Sequence, residues 1–201
     1  MNHALVHVLC FGNLWHGDDA FGLHVLQRLR DERRLPAHVR AFDAGTAGLN
    51  AIPLFEGCSK AVLVDAVKTG AKIGQLHHLS LTGYLPTVDQ PGMHGSGVES
   101  LLAALPVAFA DSTMPELVLI GAEIGQIAPF TAVLSPALAA AMTPAVELVM
   151  LECTSQGGSA IGVSQPASSH TDATQMTEEA NLLGNLSPRK ALNKPPVRRR
   201  V

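Results

Sequence analysis

The chain has 201 residues, of which 47% are apolar, 15% charged and only 4% aromatic. That length holds one domain with a substantial core and excludes two of ordinary size. A core so poor in aromatics must be built from Ala, Val, Leu and Ile, which suits layered α/β folds with buried aliphatic strands. The formal net charge of −3 hides a split, because six of the 14 Lys and Arg fall in the last 13 residues. Residues 1–151 carry 8 basic and 13 acidic side chains, a net of −5, and an acidic body argues against nucleic acid as the main partner.

In chain order, the aliphatic run from Leu5 to Phe11 reads as a first strand stopping at Gly12. Phe21 to Arg30 follows at helical spacing, with Val25, Leu26 and Leu29 on one face. Val39 to Phe42 reads as a second strand, leading into Asp43 and a glycine-rich segment to Gly48, and Leu49 to Phe55 as a short helix. Ala61 to Val64 is a third, fully apolar strand closed by Asp65, and Gln75 to Leu81 a fourth, more polar one. After a loop rich in Gly and Pro (residues 83–92), Val98, Leu101, Leu102 and Leu105 are spaced as a helix. Leu117 to Ile120 is another buried strand, and Ser135-Pro136 reads as an N-cap with Pro at the first helical position. The helix it opens runs to about Leu151, with Pro144 expected to kink or split it.

This alternation predicts a three-layer α/β fold: a mostly parallel twisted sheet with helices on both faces, spanning residues 1–154. Residues 155–201 lack apolar periodicity and are rich in Ser, Gly, Pro, Gln and Asn; they read as a disordered tail with a basic end. That end, Arg198 to Arg200, is a solvated terminus on one reading and a dock for an acidic partner on another. Cys10, Cys58 and Cys153 are widely spaced without a CxxC pair, which fits a reducing compartment. With no basic-then-apolar opening segment and no run of about 18 apolar residues, the expected location is cytoplasmic, without membrane contact.

Open parallel sheets bind ligands beyond the carboxyl ends of their strands. Asp18 and Asp19 lie after the first strand, Asp43 after the second and Asp65 after the third, so all four carboxylates fall on one edge. His94, ahead of a helix, can reach that edge. Two carboxylates and an imidazole leave open positions on a divalent ion and suit nickel, zinc, cobalt or iron better than calcium. Each residue also has a structural reading. Asp18 or Asp19 can cap the helix opening near Ala20, with Asp18 the better fit. Asp65 can bond to neighbouring backbone, and His94 can be a surface or capping residue.

Other motifs are weaker. Gly12 to Gly17 is not GxGxxG, and the Asp18-Asp19 pair at the helix start would repel a pyrophosphate. There is no GxSxG elbow. Cys10, inside a strand, reads as core, and His77-His78 point to opposite faces of a strand and cannot easily chelate one ion.

Taken together and in order, Gly12-Asn13 with Gly17 to Gly22, Asp43 to Gly48, Val64-Asp65-Ala66, His94 with the following Leu101 and Leu102, and Leu134-Ser135-Pro136 with Thr143-Pro144 resemble the hydrogenase maturation endopeptidase family over about residues 4–151. The resemblance implies a twisted, mostly parallel sheet between helical layers. It also implies an endopeptidase that clips a C-terminal peptide from the large subunit precursor of a nickel-iron hydrogenase once nickel is in place. The family's three metal-contacting positions fall on Asp19, Asp65 and His94, and Asp43 falls on an acidic position tied to substrate recognition or activity. The first of these positions is often Glu, and Asp19 is one methylene shorter. The nickel is expected to arrive with the substrate, with no organic cofactor and a monomeric enzyme. Two alternatives remain: a nickel-binding assembly factor without protease activity, and a nucleoside or peptidyl-RNA hydrolase on a similar scaffold, which the acidic edge disfavours.

Overall fold

A computed structural model describes residues 5–33, 35–81 and 97–155. The tail from residue 156, the Gly- and Pro-rich loop of residues 83–92 and His94 lie outside the described residues.

Five strands form one sheet in the order β2-β1-β3-β5-β4. They are β1 (Val6–Phe11), β2 (Val39–Gly45), β3 (Lys60–Val67), β4 (Leu76–Ser80) and β5 (Glu116–Glu123). β1 pairs in parallel with β2 and β3, and β3 with β5, whereas β4 runs antiparallel along the edge of β5. Every residue of β1 and β3 is buried, the signature of strands covered on both faces. The helices are α1 (Phe21–Asp31), α2 (Gly97–Ala108) and α3 (Pro136–Thr154), with a 3-10 helix at Gly48–Phe55.

Side chains along the strands alternate between two cores. Val8, Cys10, Val62 and Val64 pack with α1 and α3, while Leu9, Phe11, Leu63 and Val67 pack with α2 and the 3-10 helix. The sheet is therefore the middle of three layers. α1 follows from its sequence: Phe21, Val25, Leu26 and Leu29 are buried, and Arg28 and Arg30 place positive charge in the last turn, near the negative end of the helix dipole. Ser135 caps α3, its side chain accepting the Leu138 N–H, with Pro136 next.

Three expectations need correction. α3 is one continuous helix of 19 residues, so Pro144 does not split it in two. Pro144 and Ala140, whose carbonyl loses its helical partner, are both exposed, so water can satisfy that carbonyl while Ala141, Met142, Ala145 and Val146 hold the inner face in the core. α3 is also long and apolar enough to cross a membrane on composition alone, but its apolar face is core packing against α1, β4 and β5. Finally, Asp43 and Asp65 do not close their strands. β2 continues to Gly45 and β3 to Val67, because the β3–β5 ladder runs on through Asp65↔Gly121, Ala66↔Ala122 and Val67↔Glu123.

Candidate active site

The strand order reverses direction around β1, so the loops leaving β1 and β3 part company at their carboxyl ends. This is where open α/β sheets leave a crevice. Two glycines let the segment after β1 settle onto it. Gly12 has φ +133, and a Cβ there would collide with the Asp19 carbonyl. A Cβ on Gly22 would sit 2.5 Å from the Val64 carbonyl and closer still to that of Phe11. Only glycine allows this approach of α1 to the ends of β1 and β3. The result is a single-turn 3-10 helix, Gly17–Ala20, carrying Asp18 and Asp19.

Asp19 is half-buried. Burial pushes its carboxyl above the ordinary range, opposed by nearby His16 and by a hydrogen bond from the Asn13 N–H. Asp65 is 5% exposed. By alternation with Leu63 and Val67 it faces the α2 layer, and its Oδ1 accepts the Ala66 N–H at 2.8 Å. Burial raises the Asp65 pKa from 3.8 to about 7; the Ala66 hydrogen bond opposes the rise and the charge of Asp19 adds to it. The structure thus brings Asp19 and Asp65 into one another's field, in a place where a cation would relieve both.

The other expected residues fall differently. Asp43 sits on β2, separated from Asp65 by β1, and is exposed. Alternation with Val39 and Ala41 puts it on the α1–α3 face, and its charge acts on Cys10, its register partner. The Cys10 thiol is fully buried, and burial first, then Asp43, pushes its pKa far up, as expected of a core cysteine. Asp18 does not cap its own helix. Its Oδ1 accepts the backbone N–H of Ser135 at 2.6 Å and so ties the first loop to the start of α3. His94 lies outside the described residues; α2, which begins three residues later, packs on the face to which Asp65 points. Among the described residues no three His, Cys, Asp or Glu side chains converge as a metal-ligand set.

One buried carboxylate was not singled out from the sequence. Glu123, 1% exposed at the end of β5, accepts hydrogen bonds from the Thr69 and Gly70 N–H groups and the Thr69 hydroxyl at 2.8–3.1 Å and pairs with His77 Nε2 at 3.0 Å. Burial works to raise its pKa, but these partners prevail and hold it low. Its signal was available, since an acid ends an aliphatic strand just as Asp65 follows Ala61 to Val64. Its full set of partners marks it as an anchor for the loop after β3. His78, on the other face of β4, pairs instead with Glu152 of α3 at 2.8 Å, so the two adjacent histidines do diverge.

The described fold is a three-layer α/β domain with Asp19 and Asp65 at its switch point. Residues 23–152 match the profile of the hydrogenase maturation protease family, HycI type, and the chain belongs to that family. Asp43, Asp65 and His94 fall inside the matched span, and Asp19 just before it. The chain is 38% identical to the hydrogenase expression/formation protein HupD of Rhodobacter capsulatus over 69 residues, 34% of this chain and 33% of that one. With HoxM of Azotobacter vinelandii the identity is 28% over 146 residues, 71% of this chain and 69% of the relative. The solved structure of the hydrogenase maturating endopeptidase HybD from Escherichia coli superposes with a TM-score of 0.61 at 26% identity, covering 74% of this chain and 91% of that one.

Proposed function

We propose that this protein is an endopeptidase that removes a C-terminal peptide from the nickel-loaded large subunit precursor of a nickel-iron hydrogenase, with Asp19, Asp65 and His94 as ligands to the substrate's nickel. The observation that carries the reading is the buried carboxylate of Asp65, raised to about 7 beside Asp19. Two carboxylates so placed are poor at holding two negative charges alone and good at holding a cation between them. Oxygen donors of this kind, completed by one imidazole, fit a divalent transition ion with positions left open. An open set suits an ion that already has ligands in another protein, so the nickel is read as arriving with the substrate.

Bound in this way, nickel would act as a Lewis acid on a neighbouring carbonyl. A carboxylate oxygen of the site left free of the ion is suited to take a proton from the attacking water. Asp19 fixes the site's charge, and its position follows from Gly12 and Gly22. Asp43, exposed at the edge strand, is assigned to contact with the substrate protein. A cytoplasmic location is proposed as well, supported by three cysteines that are all unpaired.

Incubation with a nickel-loaded precursor separates this reading from that of an assembly factor without turnover. A shortened large subunit is expected with the wild-type chain. Its absence at any enzyme concentration sinks the peptidase reading, and undiminished cleavage by Asp19→Asn sinks the site assignment.

A further inference from the structure

Five large apolar side chains stand in solvent on the loops beside the turn that carries Asp19. Leu14 and Trp15 come from the loop after β1, and Ile127, Phe130 and Val133 from the segment between β5 and α3. Trp15 is 68% and Phe130 93% exposed. The two loops are stitched together: the Thr131 N–H donates to the Trp15 carbonyl at 3.1 Å, the Gly17 N–H to the Thr131 carbonyl at 2.6 Å, and His16 and Thr131 form a parallel bridge. The Asp19 N–H donates back to His16 at 3.3 Å, so this unit also carries the site carboxylate.

Phe130 lies at φ +58, a conformation that bulky residues rarely adopt. Its ring contributes nothing to either core, so folding does not account for an aromatic at a strained position. Residues 12–17 and 124–134 contain no Lys, Arg, Asp or Glu. An exposed apolar surface without formal charge matches an apolar partner and not a polyanion. A peptidase must hold polypeptide beside the bond it cuts, and this surface is joined to Asp19 by four residues of backbone and the bridge described above.

We propose that the Trp15–Phe130 rim is the substrate-chain subsite of the enzyme, gripping an uncharged apolar segment of polypeptide that adjoins the scissile bond. The assignment rests on the peptidase reading. Aromatic anchors in such a surface typically dominate the binding energy.

The test uses Trp15→Ser and Phe130→Asn. Asn tolerates the positive φ, and neither side chain is buried, so both variants are expected to melt like wild type. With nickel-loaded precursor, each is expected to raise KM about tenfold with kcat unchanged. Trp15 is the single tryptophan of the chain, which provides a second readout. A tryptophan-free synthetic peptide spanning the precursor's cleavage junction is expected to shift the emission of the full-length Asp19→Asn protein to the blue, saturably, and to do so far more weakly when Phe130→Asn is added. Cleavage by wild type with KM unmoved in both variants overturns the proposal. So does an oligomer that dissociates in Trp15→Ser while KM stays constant, which would assign the rim to a second copy of the chain. A saturable blue shift without any cleavage by wild type retains the rim as a peptide site and defeats the peptidase reading instead.

Discussion

Replacing Asp65 by Asn is expected to stabilise the metal-free protein at neutral and alkaline pH while abolishing processing. Asn keeps an oxygen for the Ala66 N–H and removes the charge. Asp65 titrates near 7 in the fold against 3.8 ordinarily. Between those values the folded state holds a proton that the unfolded chain has released, so wild-type stability falls as pH rises through this window and is level above it. At about 1.4 kcal/mol per pH unit the full gap amounts to about 4 kcal/mol. Relaxation and water entry reduce it, and about 2 kcal/mol is a reasonable expectation. For a domain of this size that is about 4–8 °C in Tm. The assay is denaturation of wild type and Asp65→Asn with chelator present, at pH 4 and pH 8. The variant's advantage should be small at pH 4 and near its maximum at pH 8. A difference that does not change between these pH values, or a variant less stable throughout, refutes the account of a buried, reluctant carboxylate.

Gly22→Ala forces a methyl group against two backbone carbonyls and is expected to cost about 3 kcal/mol with loss of processing; urea unfolding and a cleavage assay would show it. Glu123→Gln weakens a three-donor cluster and the hydrogen bond with His77, for a loss of about 2–3 kcal/mol at pH 7. Because the folded Glu123 titrates below 4.5, the wild type's advantage should shrink as pH falls through the acid range, which denaturation midpoints across pH 3–7 would reveal. Asp18→Ala removes the acceptor for the Ser135 N–H and is expected to cost about 1–2 kcal/mol. Hydrogen exchange should show the first turn of α3 losing protection before the rest of the helix.

The layered fold was legible because its strands are short aliphatic runs and its helices show clear apolar spacing. Leu117 to Ile120 and Ala61 to Val64 could be read as buried strands without knowing their neighbours. Their ends could not, since the ladder between β3 and β5 carries Asp65 into the strand, and pairing is a property of two segments. Local rules also misled at Pro144, where an exposed carbonyl lets the helix continue, and at Asp18, whose partner is 117 residues away. Asp19 and Asp65 were marked by position after strands. Their coupling depends on the approach of Gly12 and Gly22 to the strand ends, which only the folded chain displays. Trp15 and Phe130 gave no periodic signal, because their importance lies in being left outside both cores.

In the proposed reaction the carboxylate pair of Asp19 and Asp65 recognises nickel held by the substrate. The most direct measurement compares nickel-loaded and nickel-free large subunit precursor under identical conditions, following product mass by intact-protein mass spectrometry with wild type and Asp65→Asn. A shortened subunit is expected only from nickel-loaded precursor and wild-type enzyme. Equal cleavage of the nickel-free precursor, or undiminished cleavage by Asp65→Asn, would contradict it.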